Sequence, residues 1–209
     1  LLQALCAEQG HAKPLIYGVP SAPTAHPSSH FVPDVVLQDG QAISVDATNC
    51  ESEFSTTATS HTLRAIYTPG HAANHLCLLL EEDALLFTGD HILNGSTTII
   101  DTPDGNMRDY IDSLDKLTEL CTAHQVEFLL PAHGYVMHEA LSVIAKLKAH
   151  RLAREAKVLA AMQQQPQGSI RDWVALAYAD TPEHLWKLAE RSLIAHVERI
   201  RALGLHHVS

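Results

Sequence analysis

Short apolar runs bounded by turn residues are concentrated between residues 63 and 130 of the chain. Two of them, at residues 76–80 and 84–88, flank the acidic turn Glu81-Glu82-Asp83 and predict a β-hairpin. The runs at residues 63–67 and 126–130 predict two further short strands. This part of the chain is therefore expected to form a sheet.

One stretch between these runs has helical periodicity. Its apolar residues recur at intervals of three and four, which predicts an amphipathic helix over residues 106–123. These apolar residues are Met107, Tyr110, Ile111, Leu114, Leu117 and Cys121. Because strand, helix and strand follow one another here, we expect an α/β fold in which helices cover a sheet.

The stretch before residue 63 carries weaker signals. Residues 35–45 hold two short apolar runs around Asp39-Gly40, which predicts a hairpin. Residues 25–33 combine histidine, proline and serine without periodicity, so we expect an exposed loop near the mouth of a functional site. Residues 49–60 are polar and also predict a loop.

The last third of the chain is predicted to be helical. A stretch rich in Ala, Lys and Arg predicts a long helix over residues 139–162, and residues 163–168, rich in Gln, end it with a proline and a glycine. A short helix around Trp173 follows, and a final helix stops before Gly204. Before that final helix, Thr181-Pro182-Glu183 predicts an N-cap and a first-turn proline.

The composition fits one full domain, or one domain with a small module. The chain has 209 residues, of which 46% are hydrophobic, which is enough for a sizeable core. No apolar run approaches the roughly 20 residues that span a bilayer, so we expect no membrane segment. The four cysteines are scattered without a Cys-x-x-Cys pair, which favours neither a disulfide scaffold nor a zinc knuckle and makes a reducing cytoplasm the expected compartment.

Three turns place residues of the kind that bind metals directly after apolar runs. They are Thr68-Pro69-Gly70-His71, Thr88-Gly89-Asp90-His91 and Leu130-Pro131-Ala132-His133-Gly134. Since each turn follows a predicted strand, the three can meet along one sheet edge, where a rigid scaffold holds functional loops. The pattern indicates a metallohydrolase in which His71, Asp90 and His133 are metal ligands.

Most of the fifteen histidines are expected to be ordinary surface residues. His71 and His133 differ from the others because each lies in a glycine-bounded turn directly after an apolar run. His26 and His30 are four residues apart, but the prolines of their segment argue against a helix that would place both on one face.

With these turns, the chain is identified as a member of the metallo-β-lactamase superfamily, and the resemblance covers nearly all of its length. It implies the αβ/βα sandwich of that family, and it implies a His-x-His-x-Asp-His motif that the sequence does not contain. Residues 1–9 resemble the end of the helix that follows this motif, and residues 14–18 resemble the next strand. The motif is therefore expected immediately before Leu1. Either the sequence begins after it, leaving the domain N-terminally incomplete, which a start inside a helix favours, or the protein lacks it.

The resemblance also implies two zinc ions and a role for each ligand. Asp90 would bridge the ions, His71 would complete one site and His133 the other, beside ligands of the missing motif. Zinc lowers the pKa of bound water to about 7, and a second ion about 4 Å away neutralises the charge that develops on the attacked or leaving oxygen. His75 is a candidate catalytic residue that donates to substrate or supports a ligand, and equally a candidate cap of its turn. His91 is favoured as the support of a ligand rather than as a ligand.

Finer features resemble the lactamase-β-like group, whose characterised members include endoribonucleases that act on single-stranded RNA. The segments that carry this resemblance are His71-Ala72-Ala73-Asn74-His75, Gly89-Asp90-His91, Gly95-Ser96-Thr97-Thr98 and Asp109-Tyr110-Ile111-Asp112-Ser113-Leu114. The resemblance divides the chain into a partial metallo-β-lactamase-fold domain at residues 1–150 and a winged-helix-like module at residues 151–209. An extended piece at residues 205–208 would belong to the wing.

Charge is divided in a similar way. From Ala145 onward ten Lys and Arg stand against six Asp and Glu, whereas the preceding part has four against eighteen. The acidic body argues against tight duplex binding, since neutralised phosphates dominate nucleic-acid affinity. A basic cluster on the predicted long helix is suited to an RNA backbone, although ordinary solvated helix faces look the same and are favoured. The cluster consists of Lys146, Lys148, Arg151, Arg154 and Lys157.

The sequence as a whole predicts a zinc-dependent hydrolase in which metal-bound hydroxide attacks a phosphodiester or ester-type bond. The substrate would be a small molecule or single-stranded RNA. Two alternatives stay open, a glyoxalase II-like thioester hydrolase and a non-catalytic, metal-poor binding protein on the same scaffold. The helical region that binds glutathione in glyoxalase II has no convincing counterpart here. The oligomeric state also stays open, with a homodimer among the candidates.

Overall fold

A computed structural model describes residues 2–46 and 60–205 of the chain. The strands are β1 (Tyr17–Gly18), β2 (Val35–Val36), β3 (Ala42–Asp46), β4 (Ser60–Tyr67), β5 (Leu76–Leu80), β6 (Leu85–Gly89), β7 (Phe128–Pro131) and β8 (Met137–His138). The α-helices are α1 (Leu2–Glu8), α2 (Met107–Ala123), α3 (Ala140–Gln164), α4 (Ile170–Ala177) and α5 (Trp186–Ala202). Short 3-10 turns lie at Pro27–Ser29 and Glu183–Leu185.

The strands form a two-stranded parallel sheet, β1-β2, and a six-stranded sheet with the order β3-β4-β5-β6-β7-β8. Neighbours in the larger sheet are antiparallel, except for β6 and β7, which are parallel and are joined by the crossover helix α2. Because two antiparallel pairings separate β4 from β6, these two strands point the same way. The carboxyl ends of β4, β6 and β7 therefore lie at one edge of the sheet.

Helix α2 covers the sheet and confirms the predicted helix and α/β layering. Asn106 caps its start, because the Asn106 side chain accepts hydrogen bonds from the backbone N–H groups of Arg108 and Asp109, at 2.9 and 3.1 Å. Leu114 and Leu117 are fully buried in one core. The same core contains Leu79, Leu86 and Leu129 of strands β5, β6 and β7. The hairpin predicted for residues 76–88 is β5-β6.

Helices α3, α4 and α5 surround a second core. The buried residues of this core include Val158, Met162, Trp173, Leu193 and Val197. The first turns of α3 instead pack on the sheet, where Ile144 belongs to the core of the first part. Helix α3 thus runs without interruption across residue 150, from one core to the other. The division of the chain between residues 150 and 151 stays a prediction.

The hairpin predicted for residues 35–45 is wrong. Strand β2 pairs with β1 and strand β3 pairs with β4, so the turn at Asp39 and Gly40 connects two different sheets. Contacts from β4 hold this turn, because the N–H of Gly40 donates to the carbonyl of Ala65 at 2.7 Å and the N–H of Tyr67 donates to Asp39 at 2.8 Å. These distant partners override the local turn signal.

Four other predictions differ from the structure or lie partly outside it. Of the strand expected at residues 14–18, only Tyr17–Gly18 forms. The predicted N-cap at Thr181 is wrong, because a 3-10 turn at Glu183–Leu185 follows Pro182 without a side-chain cap and precedes α5. Residues 49–59 of the predicted polar loop and 206–208 of the predicted wing lie outside the described residues.

Within residues 2–46 and 60–205, no helix combines the length and the apolarity needed to cross a membrane.

Candidate metal centre

The three predicted ligands meet at the sheet edge formed by the carboxyl ends of β4, β6 and β7. His71 follows β4 through a turn, Asp90 directly follows β6, and His133 follows β7. The Nε2 atom of His71 lies 3.9 Å from Oδ2 of Asp90, and the Nε2 atom of His133 lies 3.5 Å from Oδ1. Each imidazole therefore faces a different oxygen of the same carboxylate.

This arrangement consists of two pairs that share Asp90. Among the described residues, no group of three or more His, Cys, Asp or Glu side chains has the spacing of a metal site. Since zinc sites normally need about three or four protein ligands per ion, each pair amounts to part of a site. A carboxylate with one imidazole at each oxygen has the geometry of a bridge between two ions.

The surroundings of Asp90 and His71 fit a bound cation. The Oδ1 atom of Asp90 is buried and has no hydrogen-bond partner among the described residues, an arrangement that costs free energy unless a ligand satisfies it. The Nδ1 atom of His71 lies 2.8 Å from the carbonyl oxygen of Ile99, which can only accept, so Nδ1 carries the proton. The lone pair of Nε2 is then free and faces Asp90, as in a metal-binding histidine. Imidazole nitrogen and carboxylate oxygen are both zinc ligands.

Two glycines allow the turns to pack closely at this edge. Gly70 has φ +136°, and a Cβ atom there would lie 2.4 Å from the backbone Cα of Tyr110 in α2. Gly89 has φ +51°, and a Cβ atom there would lie 2.7 Å from Nε2 of His75. Because other residues are strained in this region of φ and would also clash, glycine is required at both positions.

His75 lies beside His71, with 6.3 Å between the ring centroids. Its Nδ1 atom is 2.9 Å from the hydroxyl of Thr68. Burial, followed by the nearby His71, lowers the pKa of His75 to about 4, so its imidazole is neutral at neutral pH. The contact with Thr68 agrees with a role in holding the turn, and the catalytic role of His75 stays a prediction.

His91 is fully buried behind Asp90, and its ring lies 4.4 Å from the ring of Tyr110. Burial, reinforced by His75, holds the pKa of His91 well below its ordinary value. Its backbone carbonyl accepts a hydrogen bond from the hydroxyl of Tyr110 at 2.8 Å. These contacts tie the turn after β6 to helix α2.

Three residues that support the site carried no signal of this role in the sequence. The hydroxyl of Thr98 donates to the carbonyl of Asp90 at 2.8 Å, and Arg151 of α3 donates to the carbonyl of Thr98. Ile99 acts through its backbone carbonyl, on which its side chain has no bearing. In the sequence, Arg151 is noticeable only as part of a basic cluster. Its contact with Thr98 depends on the packing of α3 and cannot be read from the sequence.

A cavity of about 300 Å³ opens beside the candidate centre. The residues that line it include His71 and Asn74 as well as Ala25, His26 and Ser29. The loop predicted at residues 25–33 therefore does lie beside the site. His26 itself caps the 3-10 turn at Pro27–Ser29 by accepting a hydrogen bond from the N–H of Ser28, so it faces its own loop.

Comparison with known families gives two matches along the chain. Residues 14–124 match the metallo-beta-lactamase superfamily, and residues 169–205 match the beta-lactamase associated winged helix domain. The first match contains the turns of His71 and Asp90, and the second contains α4 and α5. The predicted combination of a metallo-β-lactamase fold with a C-terminal winged-helix module is confirmed.

Individual relatives agree with these matches. The beta-lactamase-like protein 2 homolog of Drosophila melanogaster is 29% identical over 179 residues, which make up 85% of this chain and 58% of that protein. The atrochrysone carboxyl ACP thioesterase of Aspergillus chevalieri is 33% identical over 135 residues, with 61% of this chain and 41% of that protein covered. This chain spans about half the length of the curated relatives that it matches.

Solved structures show the same fold. A beta-lactamase domain protein from Burkholderia ambifaria superposes with a TM-score of 0.66 at 22% identity, over 85% of this chain and 48% of that one. A metallo-beta-lactamase family protein from Thermus thermophilus gives a TM-score of 0.63 at 23% identity, over 84% and 51% of the two chains. Since the family match itself covers more than half of the sequence, the chain belongs to the metallo-β-lactamase superfamily, whose members are mostly hydrolases.

Proposed function

We propose that this protein is a metal-dependent hydrolase in which Asp90 bridges two metal ions, His71 binds one of them and His133 binds the other. The observation that carries the proposal is the shared carboxylate, with one imidazole 3.9 Å from Oδ2 and the other 3.5 Å from Oδ1. The buried Oδ1 atom without a hydrogen-bond partner among the described residues supports it further. Zinc is the favoured metal because it accepts both kinds of ligand.

The residues of the chain position the ligands and leave access to them. The carbonyl of Ile99 fixes the tautomer of His71, and Thr98 holds the backbone of Asp90. The side chain of His133 is 72% exposed, so a substrate can approach from that side. When bound, a pair of metal ions activates water as a nucleophile and stabilises the charge that develops on the leaving oxygen.

We propose that the enzyme cleaves a phosphodiester or ester-type bond of a small molecule. The cavity beside His71, of about 300 Å³, has the size of a small-molecule site. The basic cluster of α3 offers little free charge for RNA, because Lys148 pairs with Asp115 and both Arg154 and Lys157 pair with Asp180. Arg151 is buried. Single-stranded RNA is therefore the less favoured substrate of this proposal.

A thioester is the second candidate for the cleaved bond. The similarity to a fungal protein named as an acyl carrier protein thioesterase favours it. Thioester and oxygen ester hydrolysis both begin with attack on a carbonyl carbon, and they differ in the leaving group. The same residues are therefore suited to either reaction. Hydrolysis of a panel of substrates would show which bond is cleaved.

The proposal can be tested on the protein expressed from its complete open reading frame. Zinc per chain is measured by elemental analysis, and hydrolysis is measured with bis(p-nitrophenyl) phosphate, p-nitrophenyl acetate, acyl thioesters and single-stranded RNA. We expect bound zinc and turnover of at least one substrate, and we expect both to be lost in Asp90→Ala. Asp112→Ala is the matched control, because Asp112 is exposed on α2 and its nearest ionic partner is Arg108 in its own helix.

Three other results would each decide a different part of the proposal. Unchanged zinc content and turnover in Asp90→Ala would refute the proposed bridge. Bound zinc with no turnover on the whole panel would refute the hydrolase and favour a non-catalytic binding protein. Turnover confined to thioesters would select the second candidate.

A further inference from the structure

A second cavity, of about 260 Å³, is lined in part by Thr98 and Ile99, which also support the candidate metal centre. The lining residues other than 97–99 belong to helix α3, to the segment between α4 and α5, and to the start of α5. Three basic side chains line it, namely His150, Arg151 and Arg154, together with an apolar group made up of Leu185, Leu188 and Ala189. The cavity thus has a cationic part and an apolar part.

Arg151 is a buried cation without a carboxylate partner among the described residues. Its residue is only 3% exposed, and its guanidinium lies 4.9 Å from the ring centroid of Tyr110 and donates to the carbonyl of Thr98. Its Nε atom is buried and has no hydrogen-bond partner in the same part of the chain. The nearest carboxylate along the helix, Glu155, is occupied by Arg199 and His196. An unpaired buried charge is costly, and an anion in the cavity would offset this cost.

The other two basic residues play a different part. Arg154 is neutralised by Asp180, from which it is separated by 2.8 Å, and it stacks on the ring of Tyr178. Burial, together with the charges of Arg151 and Arg154, lowers the pKa of His150, so His150 is a neutral hydrogen-bonding group at neutral pH. The unbalanced positive charge of the cavity is therefore that of Arg151.

The apolar part suits the tail of a ligand. Leu185 and Leu188 are 41% and 42% exposed, although each is a large apolar side chain beside a cavity. Covering them with a hydrocarbon chain would remove apolar surface from water, which is favourable. A phosphate ion alone would leave this surface uncovered.

We propose that the cavity binds a small carboxylate with an apolar tail, with the carboxylate paired to Arg151 and the tail against Leu185 and Leu188. Nothing in this proposal depends on the metal ions. The cavity and the candidate metal centre nevertheless share two residues. Thr98 and Ile99 line the cavity and also hold Asp90 and His71.

Octanoate is a suitable probe, and its binding to the full-length protein can be followed by isothermal titration calorimetry. Octan-1-ol and octylammonium have the same tail without the negative charge, and we expect both to bind at least about tenfold more weakly, as charge-assisted hydrogen bonds are lost. In Arg151→Met, octanoate affinity should fall roughly tenfold to a hundredfold for the same reason. Arg201→Met, which alters an exposed arginine of α5 outside the cavity, should bind octanoate like the wild type.

A second variant keeps the test decisive if Arg151→Met fails to fold. Ser192 is a buried residue of α5 that lines the cavity, so Ser192→Leu fills the space without changing a charge and should also abolish octanoate binding. The proposal is overturned if octanoate does not bind, if octan-1-ol binds equally well, or if Ser192→Leu binds like the wild type. Metal-free protein should give the same affinity as the zinc form, so a failure of the proposed metal centre would leave this result intact.

Discussion

Two aspartates of this protein each face two nitrogen-bearing side chains, and their surroundings are opposite in character. Asp180, in the helical module, accepts hydrogen bonds from Arg154 at 2.8 Å and from Lys157 at 2.7 Å. Those two partners, Arg154 first, hold the pKa of Asp180 well below its usual range. Asp90, at the sheet edge, has its imidazole neighbours at 3.5 and 3.9 Å and keeps a buried oxygen to which no described residue donates a hydrogen bond.

We interpret this difference as one between groups that stabilise the fold, at Asp180, and groups that await a ligand, at Asp90. The charges around Asp180 satisfy one another and join helix α3 to the segment that follows α4. The groups around Asp90 are held in place by Thr98 and Ile99 but do not satisfy one another. A buried polar group without a partner is costly in a folded protein, and a bound ion is one way to satisfy it. Replacing Asp90 should therefore change metal binding, whereas replacing Asp180 should change the stability of the fold.

The largest effect is expected for Asp90→Asn. Because the carboxylate would contact both ions, zinc affinity should fall by at least about a hundredfold, which exceeds the usual effect of losing a residue that only supports a ligand. The free energy of unfolding of the metal-free protein should stay the same or rise, since an unsatisfied charge is removed. A zinc-competition titration and a denaturant titration measure the two effects. A loss of metal-free stability as large as that of Asp180→Asn would contradict the comparison.

Gly70→Ala should be the most damaging change to the scaffold of the candidate centre. The new Cβ would lie 2.4 Å from the backbone of Tyr110, at a φ of +136°. We expect the free energy of unfolding to fall by roughly 2 to 4 kcal/mol, from the clash and the backbone strain together. Denaturation of Gly95→Ala is the matched control, because Gly95 also has a positive φ, +77°, but no atom of the described residues lies within 4 Å of its Cβ position. Equal losses for the two variants would show that close packing at Gly70 is unimportant.

Thr98→Val should weaken the metal centre without removing a ligand. The substitution keeps the shape of the side chain and deletes the hydroxyl that donates to the carbonyl of Asp90 at 2.8 Å. Zinc affinity should fall by roughly tenfold to a hundredfold, as for other residues that orient a ligand. In the control, Thr122→Val, the lost hydrogen bond is to the carbonyl of Thr118 on the exposed face of α2, so zinc affinity should not change. Equal zinc affinity in both variants would show that Thr98 does not orient the site.

The smallest effect is expected for Asp180→Asn. The Asp180 side chain is 48% exposed, so solvent screens its ion pairs and the free energy of unfolding should fall by about 1 kcal/mol or less. Since the pKa of Asp180 is lowered in the folded state, the ionised form stabilises the fold above the ordinary value of 3.8, and this stabilisation is lost as the pH falls further. The free energy of unfolding of the wild type and of Asp180→Asn can be measured from neutral pH to below pH 3.8. The difference between the two proteins should shrink toward zero in acid. A difference that does not depend on pH would exclude the ionic origin.

Local patterns in the sequence predict those elements whose partners are close along the chain. Helix α2 carries its own periodicity and its own cap at Asn106, and the β5-β6 hairpin contains both of its strands and their turn. The pairing of β2 with β1 could not be predicted in this way, because each strand has only two residues and their register depends on the surrounding structure. The turn at Asp39 is likewise held by a hydrogen bond from Tyr67 of β4, which is distant in the sequence.

The candidate site divides along the same line. The meeting of His71, Asp90 and His133 could be predicted because each lies in a glycine-containing turn after a strand, and strand direction brings the three turns to one edge. Ile99 could not, because it acts through its backbone, and neither could the inward position of Arg151, which depends on how α3 packs. Sequence patterns thus indicate candidate ligands more readily than the residues that hold these ligands in place.

Anomalous diffraction at the zinc absorption edge would show whether Asp90 bridges two metal ions, as we propose. Crystals of the full-length protein grown with zinc should show two anomalous peaks about 3.5 to 4 Å apart, as in other two-metal sites. One peak should lie between Asp90 and His71, and the other between Asp90 and His133. A single peak away from Asp90, or the absence of any peak within bonding distance of its carboxylate, would contradict the claim.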